Sequence, residues 1–145
     1  MRVSEVMTRG AECTHPDSTV RDAAIRMMAL DVGSLPVCEN DRLIGMVTDR
    51  DVTVRTTAAG ADPNDARVRD AMTPDVHFIF DDEDVADAAR LMKDKQVRRL
   101  PVLSRDKRMV GIVSLGDLAV ETQDEQLVGN TLEAVSEPAE PRRSK

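Results

Sequence analysis

Leu43-Ile-Gly-Met-Val-Thr-Asp-Arg-Asp51 and Met109-Val-Gly-Ile-Val-Ser-Leu-Gly-Asp117 are two versions of one phrase. Each is an apolar run interrupted by a glycine, then a hydroxyl residue, then an aspartate three positions on. Upstream the match continues at an offset of 65. Val85-Ala-Asp-Ala-Ala-Arg-Leu-Met92 lies under Val20-Arg-Asp-Ala-Ala-Ile-Arg-Met27, and Val97-Arg-Arg-Leu-Pro-Val102 under Val32-Gly-Ser-Leu-Pro-Val37. Over Ser18–Val37, 9 of 20 positions are identical, where average composition gives about one or two. Val6-Met7-Thr8 over Ala71-Met72-Thr73 extends the register backwards, and one extra residue in the second turn shifts the later offset to 66. The chain is an internal duplication.

Each copy reads as strand, helix, strand, strand, helix. Glu12–Thr14 is a short strand closed by Pro16. Thr19 stands three before Asp22, the spacing of a capping box, in which two side chains satisfy two free backbone N–H groups. Val20, Ala23, Ala24 and Met27 then mark one helical face at i, i+3, i+4 and i+7. Asp84, Val85, Asp87, Ala88, Ala89 and Met92 repeat the pattern. Leu35-Pro-Val-Cys38 and Leu43–Val47 flank the polar turn Glu39-Asn-Asp-Arg42, which predicts a hairpin. Pro36 cannot donate to a ladder, so its strand is expected at an edge or to start there. Asp49–Thr57 forms the closing helix. The duplication predicts an α/β (α+β) chain with repeats at 1–57 and 66–121 and a turn-rich linker at 58–65. The last part, 122–145, is a tail whose periodicity fades and whose Pro-rich, charged end is expected to be disordered.

Composition removes several functions. The 145 residues carry 27 acids against 20 bases, a net charge of −7, so a broad nucleic-acid surface is not expected. Aromatic residues make up 1%, two Phe with no Trp or Tyr, which argues against stacking platforms and aromatic-anchored interfaces. No apolar run approaches the roughly 20 residues of a membrane span, and Met1–Gly10 lacks a signal-peptide core. No membrane association is expected, and the chain reads as soluble and cytoplasmic.

The tandem β-α-β-β-α order, with h-x-x-h-P-V followed by h-h-G-h-h-[T/S]-x-x-D in both copies, resembles the CBS domain family. A pair of such domains forms a Bateman module with pseudo-two-fold symmetry. The resemblance runs from about Arg2 to Glu121. It implies a ligand-sensing module, not an enzyme, that binds an adenosyl compound (AMP, ADP or ATP, less readily NAD or S-adenosylmethionine) between the repeats. It also implies a homodimer and, since little chain remains for an effector domain, an effector protein acted on in trans. No cofactor is required, although Mg²⁺ would accompany a polyphosphate.

The motif suits that role. Thr48 lies where a strand enters a helix, beside free N–H groups and the positive end of the helix dipole. Asp51 offers two acceptors for a ribose diol. Ser114 and Asp117 are their counterparts, and Gly45 and Gly111 permit close strand approach. Helix capping alone is the competing reading. The copies are unequal: Arg50 lies inside the first motif, where the second has Gly116. Arg98 and Arg99 precede Leu100-Pro-Val102, where the first copy has Gly33 and Ser34. In some relatives a base in this place touches phosphate, which points to Arg99, while Arg98 reads as a surface charge. The nucleotide-binding candidates are therefore Thr48, Arg50, Asp51, Arg99, Ser114 and Asp117, with the Thr48–Asp51 site as the stronger. Asp49 beside it opposes a polyphosphate.

Cys13 and Cys38 fall on strands that are neighbours in CBS folds. They are open to a disulfide or to two buried thiols. His15, two residues after Cys13, would make three zinc ligands with the two sulfurs, but no fourth is evident and no metal site is assigned. A Cys–His nucleophile has no enclosing pocket here, and His77 reads as a surface residue. Met27, Met28 and Met92 read as core-filling side chains. An alternative function is a structural or redox-responsive interaction protein without a strong nucleotide ligand.

Overall fold

The computed structural model describes residues 1–10, 12–74, 76–122 and 125–137. Two compact units divide the chain, and neither is one sequence repeat. The first joins Met1–Ala11 to His77–Asp106 and Val110–Lys145; the second joins Glu12–Val76 to Lys107–Met109. Each unit is a repeat that has taken its leading segment from the other copy.

The exchange is written in matching hydrogen bonds. In the first unit, helix α1 (Val3–Val6) and strand β1 (Thr8–Arg9) come from the chain start. Val3 donates its N–H to Glu83 O at 2.8 Å, and Val85 donates to Met1 O at 2.9 Å. In the second unit Val68 donates to Ser18 O and Val20 to Ala66 O, both at 2.9 Å. The receiving helices are α5 (Val85–Lys95) in the first unit and α2 (Val20–Leu30) in the second, where α4 (Val68–Ala71) is the incoming segment. Thr8 pairs antiparallel with Ile112, and Thr73 forms the equivalent antiparallel bridge to Met46.

The glycines of the duplicated phrase make this approach possible. A Cβ on Gly111 would stand 2.7 Å from Thr8 O and 2.9 Å from Met7 Sδ. A Cβ on Gly45 would stand 2.8 Å from Thr73 O and 2.9 Å from Met72 Sδ. No side chain fits between the strand and the incoming carbonyl.

In the second unit, β2 (Ser34–Glu39) and β3 (Arg42–Thr48) form the expected antiparallel hairpin, with Ser34 opposite Thr48. Its turn residues Asn40 and Asp41 have φ of 55° and 64°, the left-handed pair of a two-residue hairpin turn that Asn and Asp tolerate best. Helix α3 (Asp49–Val52) continues into a π-helical turn, Thr53–Thr57, so the expected closing helix forms with a widened last turn. In the first unit the sheet order is β1-β6-β5-β4, from β4 (Ile79–Phe80), β5 (Arg99–Leu103) and β6 (Met109–Ser114), with β4 parallel to β5. Helices α6 (Leu115–Thr122) and α7 (Glu125–Ser136) follow.

The opening strands are minimal. Glu12–Thr14 reduces to one parallel bridge, Thr14 to Val37, the counterpart of Ile79 opposite Val102. That bridge also corrects the edge expectation for Pro36. β2 is approached from both sides, and Thr14 N–H bonds Pro36 O while Cys38 N–H bonds Thr14 O, so the missing proline donor is never needed.

The two cores are equivalent. Val20, Met27, Leu35, Val37, Val47 and Val68 are buried together in the second unit; Val85, Met92, Leu100, Val102, Val113 and Val3 are buried together in the first. Met28 departs from the core reading and is 76% exposed, because it follows Met27 by a step of roughly 100° around the helix. The tail also differs from expectation. Leu127, Val128 and Val135 of α7 pack on the first core and Thr131 is buried, a face spaced i, i+1, i+4, i+8. The Pro-rich end, residues 138–145, lies outside the described residues.

Gly45→Ala and Gly111→Ala are expected to destabilise the protein by about 1–3 kcal/mol each, since the clash is with backbone. Gly129→Ala, where a Cβ would meet nothing within 4 Å, is expected to cost nothing and to gain about 0.5–1 kcal/mol. Urea denaturation midpoints check the contrast.

Candidate functional site

At the end of β3, Thr48 caps α3. Asp51 N–H donates to Thr48 Oγ1 at 3.0 Å, and Thr48 N–H donates to Asp51 Oδ2 at 2.9 Å. At the end of β6 the pattern recurs with the same lengths: Asp117 N–H to Ser114 Oγ at 3.0 Å, and Ser114 N–H to Asp117 Oδ2 at 2.9 Å. Both candidate pairs are thus complete capping boxes. Capping uses one carboxylate oxygen and one hydroxyl lone pair. It leaves the hydroxyl proton and the second carboxylate oxygen for a ligand. Asp51 is not the freely solvated carboxylate its place in a cleft suggests: its side chain is 14% exposed, with Oδ1 4.0 Å from Arg55 Nε.

The surroundings of the two boxes differ. In the second unit, the Asp49 carboxylate turns back across the helix start. Its Oδ1 accepts Arg50 N–H at 2.8 Å, and its Oδ2 is 3.0 Å from where a Cβ on Gly33 would stand. A negative group therefore occupies one of the donors an anion would use. Arg50 is exposed and has no acidic partner among the described residues.

In the first unit the positions of Asp49 and Arg50 are filled by Leu115 and Gly116, so no carboxylate intrudes. Here lies a cavity of about 410 Å³, bordered by Arg98, Arg99, Ser114, Gly116, Val128 and Leu132. Arg99 is exposed and holds no acidic partner among the described residues. Arg98 is committed elsewhere, its Nη2 donating to Ser136 Oγ at 3.3 Å. Val128 and Leu132 were not legible as site residues, although their periodic face was readable once α7 was suspected.

Cys13 and Cys38 are joined as a disulfide across a separation of 25 residues, with Cα atoms 5.8 Å apart. Bonded to each other, the sulfurs do not form a zinc set with His15. His15, Asp17 and Glu39 do cluster, with one donor atom of each within 4.8 Å of the others. Arg69 already satisfies Asp17, donating from Nε and Nη2 to Oδ1 at 3.1 and 2.8 Å. That guanidinium holds the Asp17 carboxyl below the usual carboxylate range, so the ion pair contributes above that range and is lost as pH falls through the lowered value. His15 Nδ1 in turn accepts Asp17 N–H at 3.0 Å. The cluster reads as a surface ion-pair group.

Residues 3–55 and 68–123 each match the model of the CBS domain. The chain belongs to the CBS domain family. Two bacterial relatives match along most of their length. The CBS domain-containing protein YhcV of Bacillus subtilis is 37% identical over 134 residues, 92% of this chain and 94% of YhcV. Hypoxic response protein 1 of Mycobacterium tuberculosis is 35% identical over 86% of this chain and 87% of its own. The crystal structure of hypoxic response protein I, which holds two coordinated zinc ions, matches with a TM-score of 0.76 over 83% of this chain and 98% of that one. CBSX2 in complex with AMP matches with a TM-score of 0.72 at 27% identity, over 86% of this chain and 98% of that one. Among the described residues no helix is long and apolar enough to cross a membrane.

Reduction of the Cys13–Cys38 bridge is expected to lower stability by ~3 kcal/mol, the chain-entropy figure for a loop of this size. Denaturant midpoints with and without reductant test this, as does maleimide labelling of the denatured, unreduced protein, which should find no free thiol.

Proposed function

We propose that this chain is a regulatory, non-catalytic CBS-pair module that binds an adenosyl nucleotide and signals to an effector protein in trans. The observation that carries the reading is the cavity at Ser114. It combines a guanidinium at Arg99 uncommitted among the described residues, a capping hydroxyl with its proton to spare, and apolar walls. A fixed, always-charged fork suits the oxygens of a phosphate, and the Ser114 hydroxyl adds a donor. The second oxygen of Asp117 suits a ribose hydroxyl. A volume of about 410 Å³ sits at the small end of ligand sites and favours AMP over longer nucleotides. The AMP complex of CBSX2 supports the same ligand class.

The Thr48–Asp51 site, with Arg50 beside it, is proposed as the weaker of the two. The Asp49 carboxylate repels a phosphate there unless a cation such as Mg²⁺ intervenes. This reverses the ranking expected from the sequence, where Thr48, Asp51 and Arg50 together weighed in favour of the first motif. A homodimer fits the exposed apolar pair Ile25 and Met28 on α2, 43% and 76% exposed. A cytoplasmic location completes the proposal.

Calorimetry with AMP, ADP, ATP with and without Mg²⁺, NAD and S-adenosylmethionine tests it. AMP is expected to bind. Arg99→Ala is expected to weaken it by about 1.5–3 kcal/mol, the range for hydrogen bonds to charged groups, and more than Arg50→Ala does. Absence of binding by every one of these ligands would overturn the reading in favour of a redox-responsive structural role, to which the Cys13–Cys38 bridge points.

A further inference from the structure

The CBS match ends at residue 123, yet the chain goes on to form α7, and α7 builds part of the cavity. Val128 and Leu132 line it together with Arg99 and Ser114. Leu132 remains 44% exposed while bordering that space, so a ligand filling the cavity covers apolar surface that the protein itself leaves open. Three hydrogen bonds tie the C-terminal end of α7 to the segment that leads into β5. Gln96 Nε2 donates to Ala134 O at 3.3 Å and to Glu137 O at 2.9 Å, and Arg98 Nη2 donates to Ser136 Oγ at 3.3 Å. Arg98 thus holds the helix, while its neighbour Arg99 faces the cavity.

The helix is only moderately held. Gly129, next to Val128 and between the two lining residues, has open space where a Cβ would go, and a mid-helix glycine weakens a helix by about 1 kcal/mol relative to alanine. Its core contacts come from partly buried side chains, with Thr131 buried and bonded to Leu127 O at 2.7 Å. Elements held mainly by partly buried side chains open at lower free energy than the core. A ligand that touches only its docked form shifts it toward docking.

We propose that α7 is part of the nucleotide pocket: Val128 and Leu132 form the apolar wall on which the base of a bound nucleoside monophosphate rests, and occupancy pins the helix against the first unit. This rests on the reading of the cavity as a nucleotide site and adds what that reading lacks, the segment whose state reports occupancy. The two parts of the ligand are recognised by different elements. The phosphate is taken by Arg99 and Ser114 of the repeat, and the base by the added helix. Binding therefore couples the repeat to the tail.

The test uses the full chain with AMP as the probe. Amide hydrogen exchange over residues 125–136 is followed with and without saturating AMP, and AMP affinity is measured for wild type, Arg99→Ala, Leu132→Ser and Leu132→Met. AMP is expected to slow exchange in α7 several-fold in the wild type and to have no such effect in Arg99→Ala. Leu132→Ser is expected to weaken AMP roughly tenfold, the loss for one buried apolar contact of this size, and Leu132→Met to restore affinity. The wild-type exchange result stands even where Leu132→Ser undocks the helix. AMP binding that depends on Arg99 but leaves α7 exchange unchanged, with Leu132→Ser within twofold of wild type, would overturn the role of α7 and leave the nucleotide site intact. No AMP binding by the wild type would overturn both.

Discussion

A backbone carbonyl from one repeat rests against a glycine of the other, and the rest of the structure follows from that contact. Thr73 O meets Gly45, and Thr8 O meets Gly111, each at a separation that leaves no room for a Cβ. Remove that closeness and the leading segments cannot pair with β3 and β6. Val3, Val6, Val68 and Ala71 would then lose the cores they complete. The glycine is three residues before the capping hydroxyl in both copies. The contact that closes each unit therefore also sets the end of the strand from which the helix starts.

The same economy shapes the candidate sites. Each hydroxyl–aspartate pair does structural work as a reciprocal cap, and the binding and capping readings are compatible because capping leaves the hydroxyl proton and the second carboxylate oxygen unused. What separates the two copies is the residue just after the cap. An aspartate in one unit turns its charge onto the helix start; leucine and glycine in the other leave the cavity edge to Arg99. Divergence after duplication thus set a carboxylate beside one cap and an exposed guanidinium beside the other.

Much of the fold was legible in the sequence because duplication doubles every signal. The hairpin turn at Asn40-Asp41, the helix face of Val20 and Met27, and the capping pairs all follow from local chemistry that two copies repeat. The exchange of leading segments was not legible. Val3 and Val68 are interchangeable in an alignment, and nothing in the local pattern says which repeat each one serves. Asp49 was recognised as an opposing charge, but its weight against Arg50 depends on where the side chain turns, and the backbone decides that. α7 was missed for another reason. Its apolar positions cluster between glutamates and a glycine, too weak a pattern to stand out without the cavity it borders.

Each unit is closed by the leading segment of the other repeat. The most direct measurement is the set of cross-strand nuclear Overhauser contacts around the two glycine phrases in solution. Contacts from Thr8 to the Gly111–Ile112 backbone and from Thr73 to the Gly45–Met46 backbone are expected, in the pairing seen here. Contacts from Thr8 to Met46 and from Thr73 to Ile112 would mean that each repeat closes on itself, and would contradict it.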